Sequence, residues 1–136
     1  MLDEIEKSFI ECFVVKSKQD RLLFELGGKK RRDGVGRFCH NAEEILRPEK
    51  IMMSGDCLLI QNIMEACRQY DISQECYIIA YDPRLDRRIC SLNDALKLVL
   101  GNGMPAIIIC NDLIIVETEQ CFGTPTRYIL RDKNDK

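Results

Sequence analysis

A cysteine and the single histidine of the chain lie next to each other at positions 39 and 40. A thiolate beside cations has a lowered pKa, and a histidine can accept the thiol proton, so these residue types suit a nucleophilic cysteine enzyme. Residues adjacent in sequence point in different directions on a helix or strand, however, and the simpler interpretation is a buried Cys39 beside Phe38. A cysteine-dependent enzyme using Cys39 and His40 is therefore kept as an alternative hypothesis.

The stretch around this pair concentrates positive charge in a chain whose formal net charge is −2. Its cations are Lys29, Lys30, Arg31, Arg32 and Arg37. Arginine offers a planar fork for phosphates and carboxylates, and lysine offers a point charge. The flanking glycines predict a flexible basic loop over residues 29–37, which is our candidate binding site for an acidic protein surface or a polyanion. The alternative is a solvated charge run, or cations paired with acids of the first helix.

Neither a nucleotide nor a metal site is indicated by residue spacing. A phosphate-binding P-loop needs G-x-x-x-x-G-K-[ST], and a dinucleotide fingerprint needs G-x-G-x-x-G, whereas Gly34 and Gly36 are followed by Cys39 at the third glycine position. No two cysteines have C-x-x-C spacing, and nothing in the spacing of the scattered cysteines and the one histidine indicates a zinc site. We predict no cofactor and no metal.

Two carboxylates near the C-terminal end, Glu117 and Glu119, have the i, i+2 spacing that places side chains on one face of a strand. Paired carboxylates can carry out acid–base chemistry or hydrolyse glycosides. The preferred interpretation is a charged solvent edge that discourages aggregation between sheets. Together with Gln120, these acids could instead receive the basic loop of a second copy, which gives a homodimer hypothesis.

The eight cysteines fall mostly inside apolar runs, where cysteine acts as a small hydrophobic residue. The acidic, amphipathic N-terminal segment lacks the apolar region of a signal peptide. These features predict reduced thiols and a cytoplasmic location. No apolar run approaches the ~18 residues of a membrane span, so no membrane contact is predicted.

The elements that must position these residues follow from hydrophobic periodicity. Apolar residues at helical spacing predict a first helix from about residue 2 to 16 and a second that ends at Gly27, with a β-hairpin over 10–26 as the rival interpretation. A short third helix is predicted from Arg37 to Leu46. Further strands are predicted at 51–53, 76–81, 106–110, 113–116 and 126–130, with helices over 59–70 and 92–100.

This order predicts one α+β domain over residues 1–136, with α/β as the alternative because parallel pairs fit the middle of the chain. We expect a helical front over 1–46, a mixed sheet of four or five strands with packed helices and a C-terminal antiparallel hairpin over 47–131, and a polar tail over 132–136. The sequence favours a non-catalytic binding or regulatory module that uses the basic loop. A toxin-neutralising or inhibitor-type protein is an alternative, based on size and charge only.

Overall fold

The computed structural model describes residues 3–55, 60–68, 74–100, 104–118 and 126–132. Within these ranges the chain forms six α-helices and six strands, with the N-terminal helices preceding the sheet, so the predicted α+β class is confirmed. The helices are α1 (Glu4–Phe13), α2 (Lys16–Leu26), α3 (Arg31–His40), α4 (Ala42–Ile45), α5 (Ile60–Ala66) and α6 (Leu92–Val99). The strands are β1 (Ile51–Gly55), β2 (Glu75–Ala80), β3 (Ile89–Ser91), β4 (Ala106–Cys110), β5 (Leu113–Glu117) and β6 (Arg127–Arg131).

The sheet has the strand order β1-β6-β5-β4-β2-β3, and each of its strand pairs is antiparallel. The expectation of a mixed sheet with four or five strands, and with it the α/β alternative, is therefore wrong. The short strand β3, which the sequence did not predict, supplies the physical reason. It reverses the chain direction before α6, so that β4 returns antiparallel to β2. The predicted C-terminal hairpin is confirmed as the β4–β5 pair.

Both faces of the sheet are covered, which explains why its central strands are continuously apolar. Helices α1 to α4 pack on one face, where Phe9, Ile10 and Phe38 share a core with alternate residues of the sheet, among them Ile79 and Ile114. Helices α5 and α6 supply the core of the opposite face. Its buried residues include Ile63, Leu92, Leu96, Ile78, Ile108 and Ile129. The molecule thus has three layers with the sheet in the middle.

Side-chain caps fix the starts of two helices. The Asp3 side chain accepts a hydrogen bond of 2.8 Å from the Ile5 amide and caps α1. Ser91 accepts one of 3.1 Å from the Asp94 amide and caps α6. The helical interpretation of residues 16–26 is confirmed over the rival hairpin.

The basic segment differs from the prediction, because residues 31–40 form helix α3 and not a flexible loop. Gly34 allows this helix to approach α2 closely, since a Cβ built at Gly34 would lie 2.8 Å from the Cβ of Glu25. The predicted helix from Arg37 to Leu46 is divided between α3 and α4, with Asn41 at the boundary (φ −111°).

None of the described helices is long and apolar enough to span a bilayer. The predicted polar tail lies outside the described residues beyond Asp132. The internal bounds that we assign to the domain stay a prediction.

Candidate functional site

Arg31, one of the five candidate binding cations, is a buried structural residue. Its guanidinium donates to both carboxylate oxygens of Glu6 at 2.7 and 2.5 Å and to both of Asp86 at 2.6 and 3.0 Å. A further bond of 3.0 Å reaches the Leu26 carbonyl oxygen, and the Tyr77 hydroxyl donates to Glu6 at 2.6 Å. With its side chain only 11% exposed, Arg31 joins three parts of the fold and has little surface left for a partner.

The electrostatics of this cluster keep Arg31 charged. Burial alone would lower the pKa of its guanidinium, but hydrogen bonds from the guanidinium to Glu6 and Asp86, and the charges of both carboxylates, outweigh burial and raise the pKa above its usual value. Glu6 is fully buried, so the pair is a desolvated one. Its role is to fix α1, α3 and the segment around Asp86 relative to one another.

Arg37 is likewise engaged within the protein. Its guanidinium forms an ion pair with Glu25 of α2, and Arg21 approaches the same carboxylate at 3.3 Å. The Glu25 side chain is 8% exposed, whereas that of Arg37 is 37% exposed. Arg37 therefore pins α3 against α2 and is a weaker candidate for partner binding than the sequence suggested.

The other three candidate cations are Lys29, Lys30 and Arg32, and all are exposed. Arg32 lies over the ring of Tyr81, 4.1 Å from its centroid, and its Nε donates to the Tyr81 carbonyl oxygen at 2.9 Å. This cation–π contact holds the first turn of α3 against the start of the loop that joins β2 to β3. Cations at the beginning of α3 are thereby placed beside that loop.

The β2–β3 loop, residues 81–88, carries three further exposed arginines: Arg84, Arg87 and Arg88. The two acids of this loop, Asp82 and Asp86, already have partners within the protein. Asp86 accepts bonds from Arg31 and from the Ala80 amide, and the buried Asp82 pairs with Arg84 at 3.0 Å, which lowers the Asp82 pKa. We use the term basic surface for Lys29, Lys30, Arg32, Arg84, Arg87 and Arg88, which two separate segments contribute.

Arg87 has a left-handed backbone conformation with φ of 68°. That conformation is costly for a residue with a Cβ and is usually occupied by glycine or asparagine. The backbone here is fixed on both sides, since the Arg87 amide donates to the Ile78 carbonyl oxygen at 2.7 Å and Ile78 donates to Arg88 at 2.9 Å. A long cationic side chain is thus held at a position where glycine would be more stable.

In the sequence, Asp82 and Asp86 accompany the arginines of residues 81–88, which indicates a neutralised surface loop and not part of a binding surface. That interpretation requires Asp86 to form ion pairs with the neighbouring arginines of the loop. In the fold, Asp86 instead forms an ion pair with Arg31, which is 55 residues away in sequence. No signal within the loop itself indicates this long-range partner.

Cys39 and His40 are not arranged as a catalytic pair. Cys39 is 1% exposed and belongs to the same buried core as Phe38, whereas His40 is exposed at the end of α3. Burial raises the pKa of the Cys39 thiol, only partly opposed by a hydrogen bond with the backbone of Ala106. An activated cysteine needs the reverse, a partly exposed thiol with a lowered pKa. The geometry thus favours the core interpretation of Cys39.

Glu117 does not lie at a solvent edge, so that expectation is wrong. Strand β5 is central in the sheet, Glu117 is fully buried, and its carboxylate forms an ion pair with Arg127, directly opposite on β6. A carboxylate engaged in this way is not available to the basic segment of a second copy. Glu119 and Gln120 lie outside the described residues, and the homodimer stays a hypothesis.

A groove of about 760 Å³ lies between α1 and the sheet, at the end opposite the β2–β3 loop. Its apolar lining includes Phe9, Phe13 and Ile109, and the exposed acids Glu4 and Glu75 lie at its rim. None of the candidate residues within the described ranges lines it. The groove is therefore separate from the basic surface.

No cluster of three or more histidine, cysteine or acidic side chains suited to hold a metal ion occurs in the described parts of the chain. No family model, curated protein or solved structure matches the chain significantly.

Proposed function

We propose that the protein is a non-catalytic binding or regulatory module whose basic surface contacts an acidic or phosphate-bearing partner. The observation that carries this proposal is the placement of two cationic segments side by side by Arg31–Asp86 and Arg32–Tyr81. The first segment was the candidate from the sequence. The second adds arginines that local sequence reasoning assigned to a neutral loop.

The selective use of acids inside the fold supports the proposal. Asp86 forms an ion pair with Arg31, and Asp82 forms one with Arg84. Lys29 and Lys30 are exposed at the turn between α2 and α3. Arg32 and Arg84 have partners within the protein. Single exposed cations contribute little to stability, so the other four on adjacent segments, Lys29, Lys30, Arg87 and Arg88, are more easily explained by an external anion. Arginine and lysine together suit phosphate and carboxylate groups, by bidentate and point-charge contacts respectively.

The backbone conformation of Arg87 supports the same conclusion. Residues in sparsely populated backbone conformations cluster at functional sites, where the surrounding structure compensates for their cost. Arg87 has this property and lies in the segment that presents the basic surface.

The experiment compares two variants of equal charge. In the first variant, serine replaces Lys29, Lys30, Arg87 and Arg88. In the second variant, serine replaces Lys7, Lys16, Lys18 and Lys97. All eight residues are exposed, and Arg31 is kept in both variants. Retention on heparin and on polyglutamate is measured, with circular dichroism to verify the fold. If the four cations meet phosphates, the slope of log affinity against log salt becomes shallower by roughly 3–4 in the first variant only.

The two columns separate the two classes of partner. Loss of retention on heparin alone indicates a phosphate- or sulfate-like ligand, and equal loss on polyglutamate indicates an acidic protein surface. Equal retention of both folded variants on both columns would remove the proposal. The toxin-neutralising and inhibitor-type alternative stays a prediction.

A further inference from the structure

Cysteines lie side by side across three neighbouring strands of the sheet. Cys76 of β2 is the register partner of Cys90 of β3. On the other side of β2, Tyr77 pairs with Ile109 of β4, so the next position in that register places Cys76 opposite Cys110. Cys76 and Cys110 belong to the same buried cluster, and the Cys110 thiol donates to the carbonyl oxygen of Glu75, the residue before Cys76, at 3.8 Å. Cys76 is therefore the middle member of a row of three thiols.

The two pairs differ in their backbone geometry, because hydrogen-bonded and non-hydrogen-bonded pairs alternate along an antiparallel ladder. The Tyr81 amide donates to the Pro105 carbonyl oxygen at 3.0 Å, so these two residues form a hydrogen-bonded pair of the β2–β4 ladder. Cys76 and Cys110 lie an odd number of positions further along the same ladder. They are therefore a non-hydrogen-bonded pair. Such pairs have Cα atoms about 4.5 Å apart, within the range of about 4.4–6.8 Å for disulfides.

The Cys76–Cys90 pair is of the wider kind. The Leu92 amide donates to the Gln74 carbonyl oxygen at 2.8 Å, and two positions along the ladder Cys76 and Cys90 form another hydrogen-bonded pair. Pairs of this kind have Cα atoms about 5.5 Å apart, which also lies within the range for disulfides. Cys76 can therefore bond to either neighbour without movement of a strand.

The row has an accessible and an inaccessible end. Cys76 is 2% exposed and Cys110 is fully buried, whereas Cys90 is partly exposed on the edge strand β3. The six cysteines in the described ranges are all free. A reagent from solution thus meets Cys90 before the other two.

We propose that Cys76 and Cys110 form a reversible cross-strand disulfide and that Cys90 is the thiol through which a small-molecule disulfide oxidises them. The Cys90 thiolate attacks one sulfur of oxidised glutathione, releases one glutathione thiolate and becomes a mixed disulfide. The Cys76 thiolate then attacks the Cys90 sulfur and releases the second glutathione. Finally the Cys110 thiolate attacks the Cys76 sulfur and returns Cys90 to the thiolate.

The overall reaction oxidises two protein thiols by two electrons and reduces one oxidised glutathione to two glutathione molecules. The final disulfide is buried between β2 and β4, which protects it from reduction in comparison with the Cys76–Cys90 intermediate. Burial raises the pKa of all three thiols, so each attack in the sequence is expected to be slow, and the formation of the linkage should take on the order of hours at neutral pH.

The full chain is incubated with oxidised glutathione, quenched with acid and alkylated, and its peptides are mapped by mass spectrometry. We expect two of the eight thiols to be protected as one Cys76–Cys110 linkage, and dithiothreitol to restore them. Eight alkylated thiols after prolonged oxidation, or a linkage that joins other cysteines, would overturn the inference. Because the measurement uses the unmodified protein, it does not depend on the folding of a variant.

Two variants test the route. Cys90→Ala should form the same linkage at least tenfold more slowly, whereas Cys39→Ala, a buried cysteine on the opposite face of the sheet, should leave both the rate and the linkage unchanged. Circular dichroism verifies that both variants are folded. Oxidation of Cys90→Ala at the rate of the parent would overturn the role of Cys90.

Discussion

Arg31 and Glu6 are 25 residues apart in sequence and meet in a bidentate pair, with both terminal nitrogens of the guanidinium donating to the carboxylate. The pair is buried, and Asp86 binds the remaining side of the same guanidinium. The most buried cation of the basic segment thus determines where its exposed neighbours lie.

Replacing Arg31 by methionine should lower the free energy of unfolding by roughly 3–5 kcal/mol, because Glu6 and Asp86 lose their shared counter-charge in a desolvated position. The neighbouring Lys30 is exposed, and Lys30→Met should change the free energy of unfolding by no more than about 0.5 kcal/mol. Urea unfolding followed by circular dichroism measures both. Similar midpoints for the two variants would show that the Arg31 cluster contributes little to stability.

The two glycines of α3 should respond oppositely to alanine. A Cβ at Gly34 would lie 2.8 Å from the Glu25 Cβ, so Gly34→Ala must separate α2 from α3 and should cost about 1–3 kcal/mol. A Cβ at Gly36 would lie 3.6 Å from the Tyr81 ring, an ordinary contact, and alanine should stabilise the helix by about 0.5–1 kcal/mol. Thermal unfolding of the pair provides the comparison. A loss of stability in both variants would mean that α3 tolerates no side chain on either face.

Stability should also decline in alkaline solution because of Tyr77. Burial, and then the hydrogen bond to Glu6 and its charge, raise the pKa of this hydroxyl above its usual value of 10.0. The folded protein therefore holds a proton that the unfolded chain releases. The resulting stabilisation is fully present below the unfolded pKa and is lost as the pH rises toward the folded one.

Urea midpoints measured from neutral pH to about pH 11 test this effect, since that range crosses the usual tyrosine pKa of about 10. Tyr77→Phe should be less stable than the parent at neutral pH, because Glu6 loses a buried donor, but its midpoint should fall less steeply above the usual pKa. An equally steep decline in Tyr77→Phe would assign the alkaline effect to other groups, such as the buried thiols.

Local patterns predict much of this fold. The apolar stripe of α1, the Ser91 cap of α6 and the apolar runs of β4 and β5 act through neighbouring residues, so they can be recognised without the tertiary structure. Helix α3 cannot be recognised in this way, because a sequence with Gly34 and Gly36 among charges has low helix propensity. Helix α3 is held by its buried apolar residues, among them Phe38, and by ion pairs with Glu25, Glu6 and Asp86, which lie in other parts of the chain.

The candidate site shows the same division. The exposed Lys29 and Lys30 are evident from composition, whereas the arginines of the β2–β3 loop join them only through Arg31 and Tyr81. At Glu117, the sequence predicts the local structure but not the surroundings of the residue. The apolar run over residues 113–116 correctly predicts strand β5, but it does not reveal that β5 is central or that Arg127 lies opposite Glu117.

The sheet order has a consequence for folding during synthesis. Among the described strands β1 pairs with β6 alone, with Ile51 opposite Leu130 and Gly55 opposite Arg127. While the chain emerges from the ribosome, the backbone groups of β1 therefore stay unpaired until β6 has been synthesised. The helices that precede β1 can form before that point. Such non-local pairing slows folding, and an unpaired β1 presents the half-exposed Met52 and Met53 to other nascent chains. Vectorial synthesis thus makes β6 the segment that completes the sheet.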